Sequence, residues 1–571
     1  MLKDKEVLTP NSADTQIAKD KNFETEYGYF SNDGTEFIIT TPFTPRPWIN
    51  VISNGDYSLV VSQAGGGYSW RGNSNLARIT TWVQDLVRDN YGKFIYIRDN
   101  LDGSYWSLGY KPVCAPYAFY EARHGIGYSI ITNITRGINA QIKFFVPREE
   151  PLEVWHITIK NESIISRSLS LFTYLEWCLG NGLDTHREFQ KTFIYTEYNE
   201  ELGYIHAKKR LQLVPRFVST GLIEIPCEGF HSSSIRPSSY EADKEAFLGN
   251  LRDLHSPRAV SEGRLTRLIG KWNDSIASLK IDLELTPGEE REIVFTLGES
   301  KDKKEIEKLV RKYKDPKNAK AEFNEVKKFW HNLFSGLVIE TPDKHLDFSV
   351  NTWLKYQAIS GRIWARAAYF QQSGAYGFRD QLQDSQVLLP LKSELTKKQI
   401  LLHACHQFKD GSALHWWHPV IELGPKTNMT DDFLWLVYLT LNYLEETLDF
   451  PILDEKVRFM DGPKKSLYVH CIKAIDLVLS RFSKRGLPLI GEGDWNDGLS
   501  NVGPKWKGES VWLGHFLYYI LIEFSKLCEL MEKDDLAKSY LERASLLKKS
   551  LNKYAWDGSY FIRATKDDGT P

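Results

Sequence analysis

The apolar residues of this chain change period near residue 300, and that change limits the architectures open to it. Between about residues 25 and 300 they alternate along short β-branched and aromatic runs broken by polar turns. The stretch "FVPREEPLEVWHITIKNESIISRSLSLFTYLEW" (145–177) has this texture. So does "SLKIDLELTPGEEREIVFTLGES" (278–300), which reads as two alternating strands around Pro287-Gly288 and predicts a hairpin there. Many strands without intervening amphipathic helices predict a large antiparallel sandwich. After 300 the period lengthens. "SKDKKEIEKLVRKYKDPKNAKAEFNEVKKFWHNLF" (300–334) is charged and helical in spacing. Beyond 340, helices are expected at 342–360, 394–408, 430–448, 466–483, 509–532 and 535–555. Thr430 is placed to cap the third of these, with Asp431 and Asp432 in its first turn. Helices of this length joined by loops suit a toroid of stacked α/α hairpins. The expected organisation is an α+β multidomain chain: a sandwich over 1–300, a helical linker over 301–338 and a helical domain over 339–571.

At 571 residues with 42% hydrophobic content, the chain can fill more than one core. Its formal net charge of −2 argues against nucleic acid or an anionic membrane as the main partner. The 17 Trp and 28 Tyr suit either aromatic cores or stacking on the C–H faces of sugars. Six scattered cysteines, with no Cys-x-x-Cys pair, suit reduced thiols of a cytoplasmic protein. The first 30 residues are polar and lack an apolar leader core, and no apolar run has the length of a bilayer span.

The unusual residues gather in three aromatic stretches, two of them Gly-rich, expected to be loops between helices. "YFQQSGAYGFRDQLQDSQ" (369–386) carries Arg379, Asp380 and Asp384. "SALHWWHPV" (412–420) carries His415, Trp416, Trp417 and His418. "GEGDWNDGLS" (491–500) sets Asp494 and Asp497 around Trp495, with glycines on both sides. A carboxyl beside an indole fits proton donation to a stacked sugar, and equally a capped surface turn. Arg379-Asp380 alone suits an ordinary ion pair at a helix start. His-x-x-His at 415–418 and "HACH" (403–406) lack further ligands and read as structural, so no metal is expected. "AGGGYSW" (64–70) has no Lys-Ser/Thr and is no phosphate-binding loop of the Walker type.

"GYSW…TTWVQDLVRDNYGKFIYIRD", "GAYGFRDQLQD", "HWWHP", "TDDFLWL" and "GDWNDG…KGESVWLG" together resemble glycoside hydrolase family 94, the inverting β-glucoside phosphorylases and the phosphorylase-like part of cyclic β-1,2-glucan synthases. The resemblance runs from about residue 28 to the end. It implies an N-terminal β-sandwich, a helical linker and an (α/α)6 barrel. It also implies reversible phosphorolysis of a β-linked gluco-oligosaccharide to α-glucose 1-phosphate, with inorganic phosphate as co-substrate and no other cofactor. Carried over residue by residue, the second aspartate of Asp-Trp-Asn-Asp, here Asp497, is the general acid. Trp495 lines the donor sugar site, and Arg379, Asp380 and the upstream Arg366 grip donor hydroxyls. Family chains continue past the equivalent of Pro571, where they carry a phosphate-binding His and Thr-Gly pair. The resemblance therefore implies an incomplete barrel, impaired activity of this chain alone and a separately encoded C-terminal half as a partner. A homodimer is also implied.

The chemistry agrees with that implication. An inverting hydrolase needs an acid and a base that activates water, whereas a phosphorylase needs only the acid, phosphate being the nucleophile. Two alternatives stay open from sequence. One is an inverting hydrolase whose base is Asp380, Asp384, Asp432 or Asp494. The other is a non-catalytic carbohydrate-binding fragment.

Overall fold

The computed structural model describes residues 21–182, 191–210 and 227–571, so the polar N-terminal stretch lies, up to Asp20, outside the described residues. The chain forms two compact units, Met1–Gly374 and Ala375–Pro571.

In the first unit the described strands make two antiparallel sheets, of ten and nine strands. Their alternation builds the core directly. In Ile138–Phe145 every second residue, Ile138, Ala140, Ile142 and Phe144, is buried. These side chains meet Trp106, Trp155 and Trp177 in one cluster. Ile138–Phe145 pairs with Tyr128–Thr135 across Arg136 and Gly137, whose φ angles are 55° and 75°. Two left-handed residues give a hairpin loop whose twist matches its strands. The hairpin expected around Pro287-Gly288 does not form. Ser275–Leu285 pairs with Arg167–Gly180 in one sheet, and Glu290–Glu299 pairs with Leu152–Asn161 in the other. Both alternating runs are strands, but alternation fixes which side chains face inward, not which neighbour a strand takes. Asn161 holds the crossing, accepting from Gly288 N–H at 2.7 Å and donating to Glu289 O at 3.0 Å.

The charged stretch after 300 is helical as expected. Helix α1 (Lys303–Lys312) is capped by Asp302 and α2 (Pro316–Phe334) by Asp315, with Pro316 in the first turn. A further helical run over 344–365 ends at Arg366, whose φ of 48° stops it.

The second unit contains helices α3 (Phe378–Asp384), α4 (Leu389–Ala404), α5 (Leu434–Thr447), α6 (Leu467–Leu479), α7 (Val511–Leu530) and α8 (Asp534–Tyr554). Helix α5, "LWLVYLTLNYLEET", has no charge before Glu445 and packs against α3, α4, α6 and α7. A helix apolar on all sides has to be interior. Helix α8 buries Ala537, Tyr540, Ala544, Leu547 and Leu551, one stripe at helical spacing, and packs on α7. Two expectations fail here. The 369–386 stretch is not all loop, because α3 begins at Phe378. Thr430 caps nothing: α5 starts at Leu434, and the Thr430 hydroxyl donates to Gly493 O at 3.0 Å. A hydroxyl offered a carbonyl on a neighbouring loop takes it in place of its own helix end. Among the described residues no helix is long and apolar enough to cross a membrane.

Candidate active site

A two-stranded ladder organises one wall of the site. Tyr376 pairs with Trp417 and Gly377 with Trp416. Trp417 is fully buried and lies flat on the His406 ring, centroids 3.8 Å apart, which anchors the ladder. Phe378 N–H donates to His415 O at 3.0 Å, and α3 starts there. The ladder thus delivers Arg379 and Asp380, in the first turn of α3, and His415, just before the facing strand, to the same place. His403 and His406 make hydrogen bonds to Gln399 O and Leu402 O one helical turn before them, and His406 also pairs with Glu422.

The loop 490–500 supplies the opposite side. Thr430 N–H donates to Gly493 O at 3.0 Å, and Asn428 binds the Glu492 carboxylate through its backbone and side chain at 2.9 and 3.1 Å. The two aspartates of the loop have different surroundings. Asp494 is fully buried. Its carboxylate accepts from both Arg563 guanidinium nitrogens at 2.7 and 2.5 Å, from Ser510 Oγ at 2.5 Å and from Asn496 N–H at 3.0 Å. Asp497 opens a single short turn, with its side chain 55% exposed, and takes one nitrogen of Arg379 at 2.9 and 3.0 Å. Between them Trp495 is half-exposed, its Nε1 donating to Gln383 Oε1 at 3.2 Å, with the Trp512 ring 6.5 Å away.

Asp431 and Asp432 close the floor. Arg379 is buried and reaches Asp431 Oδ2 at 3.6 Å, Asp494 O at 3.3 Å and Asp380 Oδ1 at 3.5 Å. Asp431 accepts from Trp435 Nε1 at 3.0 Å, and Asp432 pairs with His415 Nδ1 at 2.8 Å. The second oxygen of each, Oδ1, is buried without a hydrogen-bond partner. Burial, then the charge of Asp432, push the Asp431 carboxyl above the usual carboxylate range against the pull of Arg379. Burial likewise raises Asp432 against its bond to His415. Burial disfavours the Arg379 charge, but Asp431, Asp432 and Asp497 outweigh it and strengthen its hold on the proton. In His415 burial opposes protonation, and the hydrogen bond and charge of Asp432 overcome it, raising its pKa. Carboxylates outnumber cations here, an arrangement in which a carboxylic acid can persist near neutral pH.

Of the residues singled out from sequence, Arg379, Asp380, Trp495 and Asp497 come together in this unit. Arg366 belongs to the first unit. There its guanidinium donates to Arg362 O at 3.3 Å and lines a cavity of about 350 Å³ with Tyr356, Ser360, Arg362 and Gln371. Sequence reasoning read Asp431 as a helix-start residue and did not find Arg563 or Ser510 as the partners of Asp494. Adjacent acids ahead of a charge-free helix were a signal for the first. Nothing local points to an arginine 69 residues away. Among the described residues, no group of three or more His, Cys, Asp or Glu is arranged to hold a metal ion.

Comparison with known proteins agrees with this architecture. Residues 35–316 match the glycosyl hydrolase 94 supersandwich domain, and residues 329–571 match the glycosyl hydrolase 94 superfamily catalytic domain. The chain is 33% identical to the cyclic beta-(1,2)-glucan synthase NdvB of Rhizobium meliloti over 97% of its own length, but spans only 20% of that protein. It is 30% identical to the N,N'-diacetylchitobiose phosphorylase of Vibrio proteolyticus and to the solabiose phosphorylase of Paenibacillus borealis, over 95% of this chain and 70% and 68% of theirs. Among solved structures, a putative kojibiose phosphorylase from human microbiome and a bacterial glucoamylase complexed with acarbose each superpose with a TM-score of 0.51. Each superposition covers 94% of this chain, and 72% and 74% of theirs, at 10% and 11% identity, a likeness of fold alone. The antiparallel sandwich followed by an α/α helical domain is therefore a known arrangement, and the chain belongs to glycosyl hydrolase family 94.

Proposed function

We propose that this chain carries the donor-sugar site of an inverting β-glucoside phosphorylase, in which Asp497 is the proton donor. One observation carries the reading. Of the two carboxyls beside Trp495, Asp494 has its lone pairs committed to Arg563, Ser510 and Asn496, whereas Asp497 is open and touched by one arginine. An oxygen of phosphate attacks the anomeric carbon, the C–O bond to the leaving sugar breaks, and the Asp497 proton goes to the departing oxygen. The product is α-glucose 1-phosphate. The half-exposed Trp495 indole offers a face to the donor sugar, while Arg379 and Asp380 offer charged hydrogen-bonding groups to its hydroxyls. Arg366 is assigned to the same donor by the family resemblance. The buried ion pair of Asp494 and the burial of Asp432 argue against either as a water-activating base, which leaves a hydrolase only Asp380 and Asp384 for that role. The relatives named as phosphorylases support the same class, and this reading includes a homodimer. Free thiols at all six cysteines support a reducing, cytoplasmic setting.

The test is phosphate dependence. With the C-terminal half that the resemblance implies supplied, incubation with β-linked glucose disaccharides should give glucose 1-phosphate only when phosphate is present, and Asp497→Asn should abolish it. Release of free glucose without phosphate would instead establish a hydrolase.

A further inference from the structure

His415 stands in the wall of this site with half of its chemistry accounted for. Nδ1 faces the Asp432 carboxylate at 2.8 Å. That contact fixes the ring, puts a proton on Nδ1 and leaves Nε2 as the outward polar atom, an acceptor in the neutral ring and a donor in the imidazolium that the Asp432 carboxylate favours. Nε2 has no hydrogen-bond partner among the described residues, and it is not among the side-chain atoms sealed from solvent, the His415 side chain being 18% exposed. Its backbone is tied on both sides. His415 N–H donates to Pro425 O at 3.0 Å, and its carbonyl accepts from Phe378, the residue before Arg379. The ring and the Arg379 guanidinium are therefore held by residues that flank the two strands of one short ladder, His415 just before Trp416–Trp417 and Arg379 in the helix that follows Tyr376–Gly377. The charges of Asp497 and Arg379 both act on the imidazole, so it lies within electrostatic reach of the proposed acid. A solvated histidine needs no buried counter-ion. One fixed by a fully buried carboxylate, with its second nitrogen free in a sugar site, has the arrangement of a ligand-binding group.

Resting on the phosphorylase reading above, we infer that His415 is a further substrate-binding residue, its imidazolium form donating from Nε2 to a hydroxyl of the glucose unit whose glycosidic oxygen Asp497 protonates, and that Asp432 is its positioning residue. The charged groups around this pair are Arg379, Asp431 and Asp497, with Asp494 next to Asp431 and Asp380 beyond Arg379. Among them only Arg379 is a cation, so the imidazole adds a second donor to a wall otherwise made of acceptors.

Two substitutions separate this role from a structural one. In His415→Asn the amide occupies the place of Nδ1, keeping the Asp432 contact but removing the outward donor. In His415→Gln the amide nitrogen reaches the place of Nε2 and restores that donor. Binding of glucose 1-phosphate and of glucose to the full chain, by calorimetry and ligand-detected NMR, needs no turnover. His415→Asn should weaken both ligands about tenfold or more, the loss of one charge-assisted hydrogen bond, and His415→Gln should recover most of it. With the 2-, 3-, 4- and 6-deoxy forms of glucose 1-phosphate, the Asn penalty should vanish for one analogue and persist for the other three. Asp432→Asn should show the same analogue pattern, diluted by a mobile ring. An unimpaired Asn variant, equal loss on all four analogues, or a loss confined to glucose 1-phosphate and absent for glucose would each overturn the inference. Absence of binding by the unsubstituted chain would overturn the phosphorylase reading on which it rests.

Discussion

Replacing Asp494 and Asp497 in turn should separate a structural carboxylate from a chemical one. Asp494 is fully buried and accepts four hydrogen bonds, two of them from Arg563. Asp494→Asn removes the charge and obliges one amide nitrogen to face the Arg563 donors. Breaking a buried ion pair on one side costs about 3–5 kcal/mol. Arg563 is itself 41% exposed and can regain water, which places the expected loss near the lower end, about 3 kcal/mol. Asp497 is 55% exposed and its partner Arg379 keeps Asp431 and the Asp494 carbonyl, so Asp497→Asn should change stability by less than about 1 kcal/mol. Rate should behave in the opposite way, Asp497→Asn losing a factor of about 100 to 10,000 for want of a general acid. Urea unfolding followed by tryptophan fluorescence reports on this region, since Trp495 and Trp512 flank the loop and Arg563 lies over Trp512 at 5.9 Å. Phosphate-dependent release of glucose 1-phosphate, with the C-terminal half supplied, gives the rate. A stable Asp494→Asn protein without activity, beside an active Asp497→Asn protein, would refute both assignments.

Arg379→Lys keeps a charge but loses the planar fork that spans Asp431 and Asp497, and should weaken glucose 1-phosphate binding about tenfold by calorimetry; unchanged affinity would remove Arg379 from the donor site. Gly424→Ala should displace the strand bearing Trp416, because a Cβ there would fall 1.7 Å from Trp416 O; the check is lowered thermal stability together with weakened sugar binding. In the first unit, burial opposes ionisation of Glu176, yet Lys191 and Lys244 outweigh it and lower its pKa to about 2. A carboxylate depressed from 4.5 contributes stability that is complete above its unfolded pKa and lost as pH falls toward 2, about 3 kcal/mol in all. Glu176→Gln should therefore flatten the acid limb of stability between pH 4.5 and 2, measured by urea midpoints at each pH.

What the sequence determined on its own was whatever depends on spacing within one element. The alternation before residue 300 places Ile138, Ala140, Ile142 and Phe144 on one face whatever the strand pairs with, and the charge-free run of α5 requires an interior helix. Asp302 and Asp315 are legible as caps because a cap's acceptor and donors lie two or three residues apart. The Asp-Trp-Asn-Asp loop stood out by composition. The tertiary structure decided everything that needs a second partner far along the chain. Alternation could not tell that the strands before and after Pro287-Gly288 go to opposite sheets, since each buries the same face with any antiparallel neighbour. Thr430 left its expected cap for a carbonyl 63 residues away. Asp494 and Asp497 are indistinguishable in sequence, three residues apart on flexible backbone. Arg563 buries and neutralises the first while Arg379 meets the second in the open, and only folding brings those two arginines to the loop.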